Sequence, residues 1–518
     1  MTRQFLGIDI GTSGTKALLL DGTGRVRATA SAGHPSLFPR PGWSEQRPQD
    51  WWASACAAVR RLWGGRSAYQ ERIAAIGVSG QMHGSVFLDA HGRVLCNALL
   101  WNDQRTAAEC AEVERRAGGR DELIRLVRNV ALTGYQAPKI LWLRRQRPRL
   151  FHRVATVLLP KDYVNYRLTG VRHTDVSDAS GTLLLDIGNR CWSTALMERL
   201  GLNPELLPPV TESSSVIGEL TRDAARALAL RPGVPVVAGA GDQAAAAVGA
   251  GVVRPGIVSA TIGTSGVVFA HSDRPVPNDA GLLQSFCHAV PGAWCVFGCM
   301  LSAGGSLQWA REVFYADRLR ATRTDAARNA LYAAMIREAA GAGDVDDLVF
   351  HPYLTGERCP YPHPHARGAL LGLARNHRRG TLVRAILVGI TLNMARQLEL
   401  MRGLGVPIRE VRLAGGGARN SWWRQLQADV YGVRCAVMRS QEGSALGAAL
   451  LAAVGVRAFR DVVAASRAAA RVAQTLRPVA ARTRRYRMLA ERLRASYERI
   501  EPLYRVAAAD SPGGPALG

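Results

Sequence analysis

The chain has 518 residues, whereas a single hydrophobic core stops growing at about 250–300 residues, so two domains of similar size are expected. Its hydrophobic share of 47% excludes a disordered chain, and its nine cysteines, none in a CxxC pair, support neither a disulfide framework nor a structural zinc site. The net charge of +25 raises the question of a nucleic-acid partner, but the arginines are spread along helical segments without interleaved aromatic residues, which indicates solvated helix faces.

The N-terminus leads directly into the apolar run Phe5–Ile8, without the charged and apolar regions of a signal peptide. No stretch of about 18 residues is free of charges and polar breaks, so no membrane-spanning helix is predicted. We therefore expect a cytoplasmic protein without membrane or nucleic-acid partners. Residues 508–518, rich in Ala, Gly and Pro, are expected to form a disordered tail.

In chain order, the first predicted element is a β-hairpin over residues 5–30, whose apolar strands flank a turn that contains Thr12 and Ser13. A Gly-Thr-Ser-Gly turn offers backbone N–H groups and hydroxyls with little bulk, as a nest for phosphate oxygens requires. The run Ile10–Gly14 is repeated as Ile262–Gly266, nearly half the chain away. The repeat predicts a nucleotide held between two related domains.

Asp9 stands at the end of the first predicted strand, directly before this turn. A carboxylate in that place can hold Mg²⁺ through water beside bound phosphates. An Asp that only accepts hydrogen bonds from nearby backbone N–H groups would fit the same position, and the residue pattern leaves both interpretations open.

A helix is predicted around residues 50–62, followed by a buried strand at 73–78 and a loop that places Met82 and His83 between two glycines. Polar groups at the end of a strand are where α/β proteins bind ligands. Further along, Trp101 and Asp103 offer an aromatic face and a carboxylate suited to a polyhydroxylated ligand. These residues also fit an ordinary core, because a single His is more often a hydrogen-bonded structural group than a ligand.

Helices are predicted between residues 104 and 150, and an apolar strand at 234–238 ends shortly before Asp242 and an Ala-rich helix. As a structural residue, Asp242 would cap that helix. As a functional residue, it would be a general base that takes a proton from a substrate hydroxyl while the oxygen attacks a γ-phosphorus. The apolar strand and the flanking glycines favour the functional role.

After the second turn, Gly263–Ser265, the sequence predicts a helix beginning near Gly304, a long helix from residue 381 and a strand at 411–414. Gly415 and Gly416 follow that strand, and beside a second phosphate turn they could support an adenosine, although a glycine run alone is weak evidence. The Pro- and His-rich loop at 351–367 is predicted to be rigid rather than a zinc site. Whether it is an active-site lid or a surface loop stays open.

Together these residues resemble the FGGY family of carbohydrate kinases and, within it, the kinases that phosphorylate xylulose. The resemblance extends to residue 450 or so, and the motifs that carry it are Gly7–Gly14, Trp43–Gln46, Gly80–Gly84, Trp101–Asp103, Ala137–Lys139, Leu158–Asp162, Ser285–His288, Tyr353–Arg358 and Gly415–Arg419.

The resemblance implies an α/β fold made of two duplicated actin-like ATPase (ribonuclease H-like) domains with a central ligand cleft. The expected boundaries are a sugar-binding domain at 1–252, a nucleotide-binding domain at 253–480, a C-terminal helix at 481–507 and the tail at 508–518. The implied reaction is transfer of the γ-phosphate of ATP, with Mg²⁺, to the terminal hydroxyl of D-xylulose. A small sugar is the implied partner, and a homodimer is compatible with the resemblance.

The resemblance also assigns roles to individual residues of this chain. Asp242 is the implied base and Asp9 the carboxylate on the metal side. The implied sugar contacts are Met82, His83, Trp101, Asp103, Asp242 and Gln243. The implied nucleotide contacts are Thr12, Ser13, Gly263, Thr264, Ser265, Gly304, Gly415, Gly416 and Asn420.

One departure keeps the substrate open, because position 243 is often Asn in xylulose kinases and is Gln in this chain. A kinase for ribulose, a ketohexose or glycerol is therefore a second hypothesis. A third is an actin-like ATPase that uses ATP hydrolysis to change conformation and phosphorylates no sugar, and a basic nucleic-acid binder is the fourth.

Overall fold

A computed structural model describes residues 3–64, 72–278, 280–440 and 442–509, so most of the tail predicted at 508–518 lies outside the described residues. The helices are α1 (Pro48–Trp63), α2 (Ala107–Ala117), α3 (Arg120–Val127), α4 (Gln136–Gln146), α5 (Pro148–Phe151), α6 (Pro160–Thr169), α7 (Val176–Ala179), α8 (Thr194–Leu200), α9 (Arg222–Leu228), α10 (Asp242–Ala250), α11 (Gly304–Phe314), α12 (Ala316–Arg320), α13 (Asp325–Gly341), α14 (Arg379–Gly403), α15 (Ser421–Tyr431), α16 (Gly443–Gly455), α17 (Val462–Ala469) and α18 (Ala480–Ala509).

The strands occur both singly and in consecutive groups between these helices. They are β1 (Gln4–Ile10), β2 (Gly14–Asp21), β3 (Val26–Gly33), β4 (Glu45–Gln46), β5 (Ile73–Gly80), β6 (Val86–Leu88), β7 (Ala98–Leu99), β8 (Thr156–Leu158), β9 (Thr174–Asp175), β10 (Leu185–Asp186), β11 (Cys191–Trp192), β12 (Val210–Thr211), β13 (Val216–Glu219), β14 (Pro235–Val237), β15 (Ala240–Gly241), β16 (Gly256–Ile262), β17 (Gly266–Ser272), β18 (Gln284–Cys287), β19 (Trp294–Met300), β20 (Val349–His351), β21 (Ala369–Leu371), β22 (Ile408–Gly415), β23 (Arg434–Met438) and β24 (Val472–Leu476).

The described residues divide into two compact units, each drawn from three separate segments of the chain. Unit 1 falls within Met1–Arg254, His271–Cys295 and Glu442–Arg471. Unit 2 falls within Pro255–Ala270, Val296–Gln441 and Val472–Gly518. Within the described ranges, no helix combines the length with the hydrophobicity needed to span a bilayer.

The main sheet of unit 1 is mixed, with the strand order β13-β14-β5-β1-β2-β3 and with β15 also paired to β5. Strand β1 is antiparallel to β2 and parallel to β5. The predicted hairpin is therefore confirmed, and β3 extends it by a third antiparallel strand. The parallel strand β5 lies on the other side of β1, so the carboxyl ends of β1 and β5 meet at one edge of the sheet.

The sheet that carries the second copy of the turn has the order β18-β19-β17-β16-β22-β23-β24. Strand β16 is antiparallel to β17 and parallel to β22, which repeats the relationship of β1 to β2 and β5. Each Ile-Gly-Thr-Ser-Gly run therefore joins a central strand to its antiparallel neighbour. This repeat confirms the duplicated α/β architecture predicted from the sequence.

Strand β1 is buried on both faces, because its alternate residues enter two different cores. Leu6, Ile8 and Ile10 pack in a core that includes Trp51 of α1. Phe5 enters the opposite core with Ala445, Leu446, Ala449 and Leu450 of α16. Helix α16 reaches the sheet closely at Gly7, where an added Cβ would lie 2.0 Å from the Ala445 carbonyl oxygen.

Candidate active site

Asp9 and Asp242 are placed at the same edge of the sheet in unit 1. Asp9 is the penultimate residue of β1 and is opposite Ser79 of β5 in register. Strand β15 also pairs in parallel with β5, with Ala240 opposite Ser79, and Asp242 follows β15 as the first residue of α10. The carboxyl ends of parallel strands are where α/β proteins bind ligands. The structure thus brings together the two carboxylates singled out in the sequence.

The surroundings of these carboxylates favour their protonated forms. Burial raises the pKa of Asp9, although the Ser79 hydroxyl donates a hydrogen bond of 2.8 Å to its Oδ1 atom and the charge of Lys16 acts in the opposite direction. Burial, followed by the negative charge of Asp9, raises the pKa of Asp242 to about 7. A carboxylate with that pKa is suited to accept a proton near neutral pH.

Both the backbone and the carboxylate of Asp242 have hydrogen-bond partners within unit 1. The Ser444 hydroxyl donates to the Asp242 carbonyl oxygen at 3.2 Å, and the Gln243 side-chain amide donates to Asp242 Oδ1 at 3.3 Å. A Cβ at Gly241 would lie 2.9 Å from the terminal methyl carbon of Met82. The glycine before the carboxylate therefore permits Met82, a predicted sugar contact, to pack against this segment.

His83 has an unusual backbone conformation and a well-packed ring. Its φ is 70°, in the left-handed region that a non-glycine residue seldom adopts and that often occurs at ligand sites. The Lys139 ammonium donates to the His83 carbonyl oxygen at 2.9 Å, and His83 Nδ1 lies 2.9 Å from the Gly181 carbonyl oxygen. The imidazole also packs edge-on against Tyr135 and Phe286, with ring centroids 5.0 and 6.0 Å away.

Gly181 and Tyr135 were not singled out in the sequence. A Cβ at position 181 would lie 2.4 Å from His83 Nδ1, so this position requires a residue without a side chain. Neither residue belongs to a pattern with local periodicity, and only the folded chain brings them to His83.

The first turn is fixed by a ring of polar contacts. The Trp101 indole N–H donates to Thr12 Oγ1 at 3.1 Å, and that hydroxyl donates to Gln81 Oε1 at 3.3 Å. The Gln81 amide donates to Gln46 Oε1 at 2.8 Å, and the Gln46 amide donates to the Thr12 carbonyl oxygen at 2.6 Å. Three motifs that are distant in sequence therefore converge on the first turn, while Ser13 at its tip is exposed.

Asp103 lies behind this ring and is fully buried. Its carboxylate accepts the Ser44 backbone N–H at 2.7 Å and an Arg105 side-chain N–H at 2.7 Å. The Arg105 guanidinium lies over the Trp43 ring, 3.6 Å from the centroid. These contacts hold the loop that presents Trp101. Direct contact of Asp103 with a sugar stays a prediction.

In unit 2, the second turn lies against the first residues of α11. The Gly304 N–H donates to the Gly263 carbonyl oxygen at 2.9 Å, and the Ala303 N–H donates to the Thr264 carbonyl oxygen at 3.0 Å. The turn is closed by a 2.9 Å bond from the Gly263 N–H to the Ser265 carbonyl oxygen. Gly263 and Thr264 are exposed beside a helix N-terminus, a combination that suits binding of phosphate.

The glycine run that begins with the last residue of β22 is adjacent to the second turn. Gly415 is opposite Ile262 in register and has a φ of 73°, and a Cβ there would lie 2.4 Å from the Ile262 carbonyl oxygen. Gly416 begins a short 3₁₀ turn over Gly416–Ala418. Asn420 caps α15 by accepting the Trp423 backbone N–H at 3.2 Å. The predicted nucleotide contacts of the second half therefore gather at one edge of this sheet.

Glu357 is a buried carboxylate of unit 2 that the sequence did not single out by itself, although it lies in the quoted motif Tyr353–Arg358. Its Oε1 atom accepts the backbone N–H groups of Leu301 at 3.0 Å and Arg358 at 2.7 Å. Burial raises its pKa to about 8. Because Leu301 directly precedes the turn into α11, the loop at 351–367 supports the backbone beside Gly304.

The donors of this site fit a metal ion only if other ligands complete its coordination. Across the described ranges, no group of three or more His, Cys, Asp or Glu side chains is arranged to hold an ion. A Mg²⁺ ion bound with a nucleotide usually needs only one or two protein carboxylates, because phosphates and waters supply the other ligands. Asp9, the predicted carboxylate on the metal side, is a carboxylate of this kind.

Comparison with known proteins shows similarity across both halves of the chain. Residues 4–249 and 258–456 match the N-terminal and C-terminal domains of the FGGY family of carbohydrate kinases. The chain is 35% identical over 503 residues to xylulose kinase of Bacillus subtilis (strain 168), covering 97% of this chain and 98% of that protein.

Two solved structures are similar over nearly the whole chain. The crystal structure of a xyloylose kinase from Brucella ovis has a TM-score of 0.89 and 34% identity and covers 97% of this chain and 100% of that one. The crystal structure of gluconate kinase from Lactobacillus acidophilus has a TM-score of 0.88 at 24% identity, covering 98% of this chain and 100% of that one, and shows a shared fold alone. These similarities confirm the predicted fold class.

Proposed function

The chain belongs to the FGGY family of carbohydrate kinases, and on that premise we propose that it transfers the γ-phosphate of ATP to the terminal hydroxyl of D-xylulose, giving D-xylulose 5-phosphate. The observation that carries the proposal is the position of Asp242 directly after Gly241, the glycine against which Met82 packs. Burial and the charge of Asp9 raise the pKa of this carboxylate to about 7. The similarity to xylulose kinases at 35% identity supports D-xylulose as the acceptor.

In this mechanism Asp242 is the general base. Its ionised carboxylate accepts the proton of the terminal hydroxyl as that oxygen forms a bond to the γ-phosphorus, while the bond between the γ-phosphorus and the oxygen bridging to the β-phosphate breaks and ADP leaves. Phosphoryl transfer depends on positioning and charge stabilisation more than on covalent chemistry. A pKa near 7 leaves a substantial ionised fraction at neutral pH without making the carboxylate a weak base.

We assign the sugar contacts to unit 1 and the main nucleotide contacts to unit 2. Met82 offers an apolar surface, His83 a fixed imidazole and Trp101 an aromatic face for the carbon chain of the sugar. Gly263 and Thr264 are exposed beside the N-terminus of α11, where the positive end of the helix dipole attracts phosphate oxygens. Thr12 and Ser13 offer the same chemistry from the first turn, and Gly415, Gly416 and Asn420 complete the proposed nucleotide contacts.

Asp9 would hold Mg²⁺, with Asp242 close to the same edge of the sheet. The ion, when bound, neutralises charge on the phosphates. Ser79 fixes the orientation of the Asp9 carboxylate through the 2.8 Å hydrogen bond from its hydroxyl.

The test is ADP release with Mg-ATP across D-xylulose, D-ribulose, L-ribulose, L-xylulose, D-fructose, xylitol and glycerol, with Asp242→Asn as the blank. We expect D-xylulose to give the highest kcat/KM and the variant to lose the sugar-dependent rate by at least about a thousandfold. ATP hydrolysis that no sugar accelerates would contradict the kinase proposal and favour an ATPase without a sugar acceptor.

A second candidate is a kinase for another ketose or polyol, and Gln243 is the observation that favours it. The Gln243 amide donates to Asp242 Oδ1 at 3.3 Å, so a side chain one methylene longer than Asn lies beside the proposed base. One methylene in a ligand pocket changes discrimination by about 10–200-fold. If D-ribulose or xylitol exceeds D-xylulose in the panel, and Gln243→Asn restores preference for D-xylulose, this candidate is correct.

A further inference from the structure

A buried charge cluster follows from the Leu158–Asp162 motif, for which the proposed reaction has no role. Lys161, Asp162, Asp175 and Asp178 have no exposed side-chain surface. The Lys161 ammonium contacts the carboxylate of its neighbour Asp162 and lies 2.9 Å from Asp175 Oδ1 and 3.9 Å from Asp178 Oδ2. Three buried carboxylates therefore share one buried ammonium.

If every carboxylate is ionised, the negative charge of the cluster exceeds the single positive charge of Lys161. An unpaired buried charge strongly destabilises a folded protein. Neither carboxylate oxygen of Asp178 has a hydrogen-bond partner among the described residues. Burial and the charges of Asp162, Asp175 and Asp242 hold the pKa of Asp178 well above its usual range, despite Lys161. Burial also raises the pKa of Asp162, so the protonated forms of both carboxylates are favoured, and the Lys161 ammonium is their shared counter-ion.

Asp175 connects this cluster to the proposed base. Its Oδ2 atom accepts the Ser177 hydroxyl at 2.5 Å, the Ser177 N–H at 2.9 Å and the Ser213 hydroxyl at 2.7 Å. The Ser177 Oγ atom in turn accepts the Gly241 N–H at 3.2 Å. Gly241 is the residue directly before Asp242, so a continuous path of hydrogen bonds joins Lys161 to the backbone of the base.

The residues just before Gly241 also form hydrogen bonds with other parts of unit 1. The Asn165 amide donates to the Ala238 carbonyl oxygen at 2.8 Å, and the Gly239 N–H donates to the Ser213 carbonyl oxygen at 2.9 Å. The bond from the Gly241 N–H to Ser177 Oγ is made one residue before Asp242, closer to the base than either of these two contacts.

We propose that Ser177 is a positioning residue for the phosphoryl-transfer step, and that the Lys161–Asp175 pair orients its hydroxyl so that the Gly241 amide, and through it the Asp242 carboxylate, is held in the reactive position. The inference rests on the proposed role of Asp242 as the base. Displacement of a reacting group by about 1 Å can reduce a rate by about a hundredfold, so a single backbone bond can be important for turnover.

The chain offers a matched pair of variants for this inference. Ser177→Ala and Ser213→Ala each remove one buried hydroxyl that donates to the same Asp175 oxygen. Only Ser177→Ala also removes the acceptor of the Gly241 N–H, because Ser213 contacts this segment through its backbone carbonyl, which the substitution retains. A purely structural role would affect both variants alike.

The experiment measures kcat, the KM values for ATP and D-xylulose, and Tm for the full-length chain and both variants. We expect Ser177→Ala to lower kcat by about tenfold or more, with both KM values within about twofold of the parent, and Ser213→Ala to keep kcat within about twofold. Equal kcat values in the two variants, whether both high or both low, would overturn the inference.

Two further variants separate the possible failures. If Asp242→Asn is inactive while Ser177→Ala keeps its turnover, only the positioning role of Ser177 is wrong. If Asp242→Asn stays active, Asp242 is not the base, and the role of Ser177 that depends on it is wrong as well. Ser177→Cys keeps a side chain of similar shape with a weaker acceptor, so it tests the same bond if the alanine variant is unstable. Its kcat is expected to lie below that of Ser213→Ala, and equality would contradict the inference.

Discussion

Trp101 donates its indole N–H to the Thr12 hydroxyl over 3.1 Å, which links a residue on the proposed sugar side to a residue of the first phosphate turn. The two residues are 89 positions apart in the chain. Because Thr12 also bonds Gln81, the orientation of the Thr12 hydroxyl depends on groups from two other loops. If Trp101 contacts the sugar and Thr12 the nucleotide, as we propose, we expect this bond to couple the binding of the two ligands.

Trp101→Phe tests this link. The substitution keeps an aromatic face but removes the donor to Thr12, and a hydrogen bond contributes about 0.5–1.5 kcal/mol, or roughly two- to tenfold in binding. We expect KM for ATP to rise by that factor in steady-state assays. Trp192→Phe is the control, since it removes an indole bond to the Pro208 carbonyl oxygen elsewhere in unit 1. A change confined to KM for the sugar would argue against the link.

The pH dependence of turnover follows from Asp242. Its pKa is raised from 3.8 to about 7, and only the ionised form can accept a proton. We therefore expect kcat to rise from about pH 5.5 to about pH 8 with a midpoint near the pKa of Asp242, measured by ADP release with saturating substrates. A rate that is already maximal at about pH 5 would show that the base has an ordinary carboxylate pKa.

Glu357 gives a prediction on stability. Its pKa is raised from 4.5 to about 8, so the folded protein holds a proton that the unfolded chain releases, and stability is lost as pH rises from the lower to the higher value. Glu357→Gln remains neutral and keeps an oxygen for the Leu301 N–H. We expect its Tm to match the parent near pH 4.5 and to exceed it increasingly up to about pH 8.

A second glutamate provides the control for that measurement. Glu410 pairs with Arg412 at 3.0 Å and Arg434 at 2.5 Å, so Glu410→Gln removes ionic contacts and is expected to lower Tm at neutral pH. If Glu357→Gln also lowered Tm near pH 8, the Glu357 carboxylate would be ionised in the folded protein and our interpretation would be wrong.

His83→Ala tests the sugar side of unit 1. The ring is fixed by the Gly181 carbonyl and by Tyr135, so its removal affects a preorganised group. We expect KM for D-xylulose to rise by about tenfold or more, with little change in KM for ATP. His152→Ala, at an exposed position after α5, should alter neither value. Equal increases for sugar and ATP would place His83 outside the sugar site.

The resemblance to the FGGY family implied the duplicated α/β fold, and the sequence by itself determined the repeat of the turn and the location of Asp9 and Asp242 at strand ends. These features depend on local patterns: apolar runs of strand length, turns rich in glycine, and a repeated pentapeptide. The strand before α10, the start of α10 and the long helix α14 were also predicted within a few residues, because hydrophobic pattern and glycine placement act over short distances.

The tertiary structure alone decided what surrounds those residues. Asp103 is buried against Arg105, and Lys161 is enclosed by three carboxylates. The segment Glu442–Arg471 belongs to unit 1, where α16 packs on β1. The tertiary structure also raised the pKa values of Asp242 and Glu357. Burial and charge depend on atoms brought together from distant parts of the chain, so no local pattern of residues contains them.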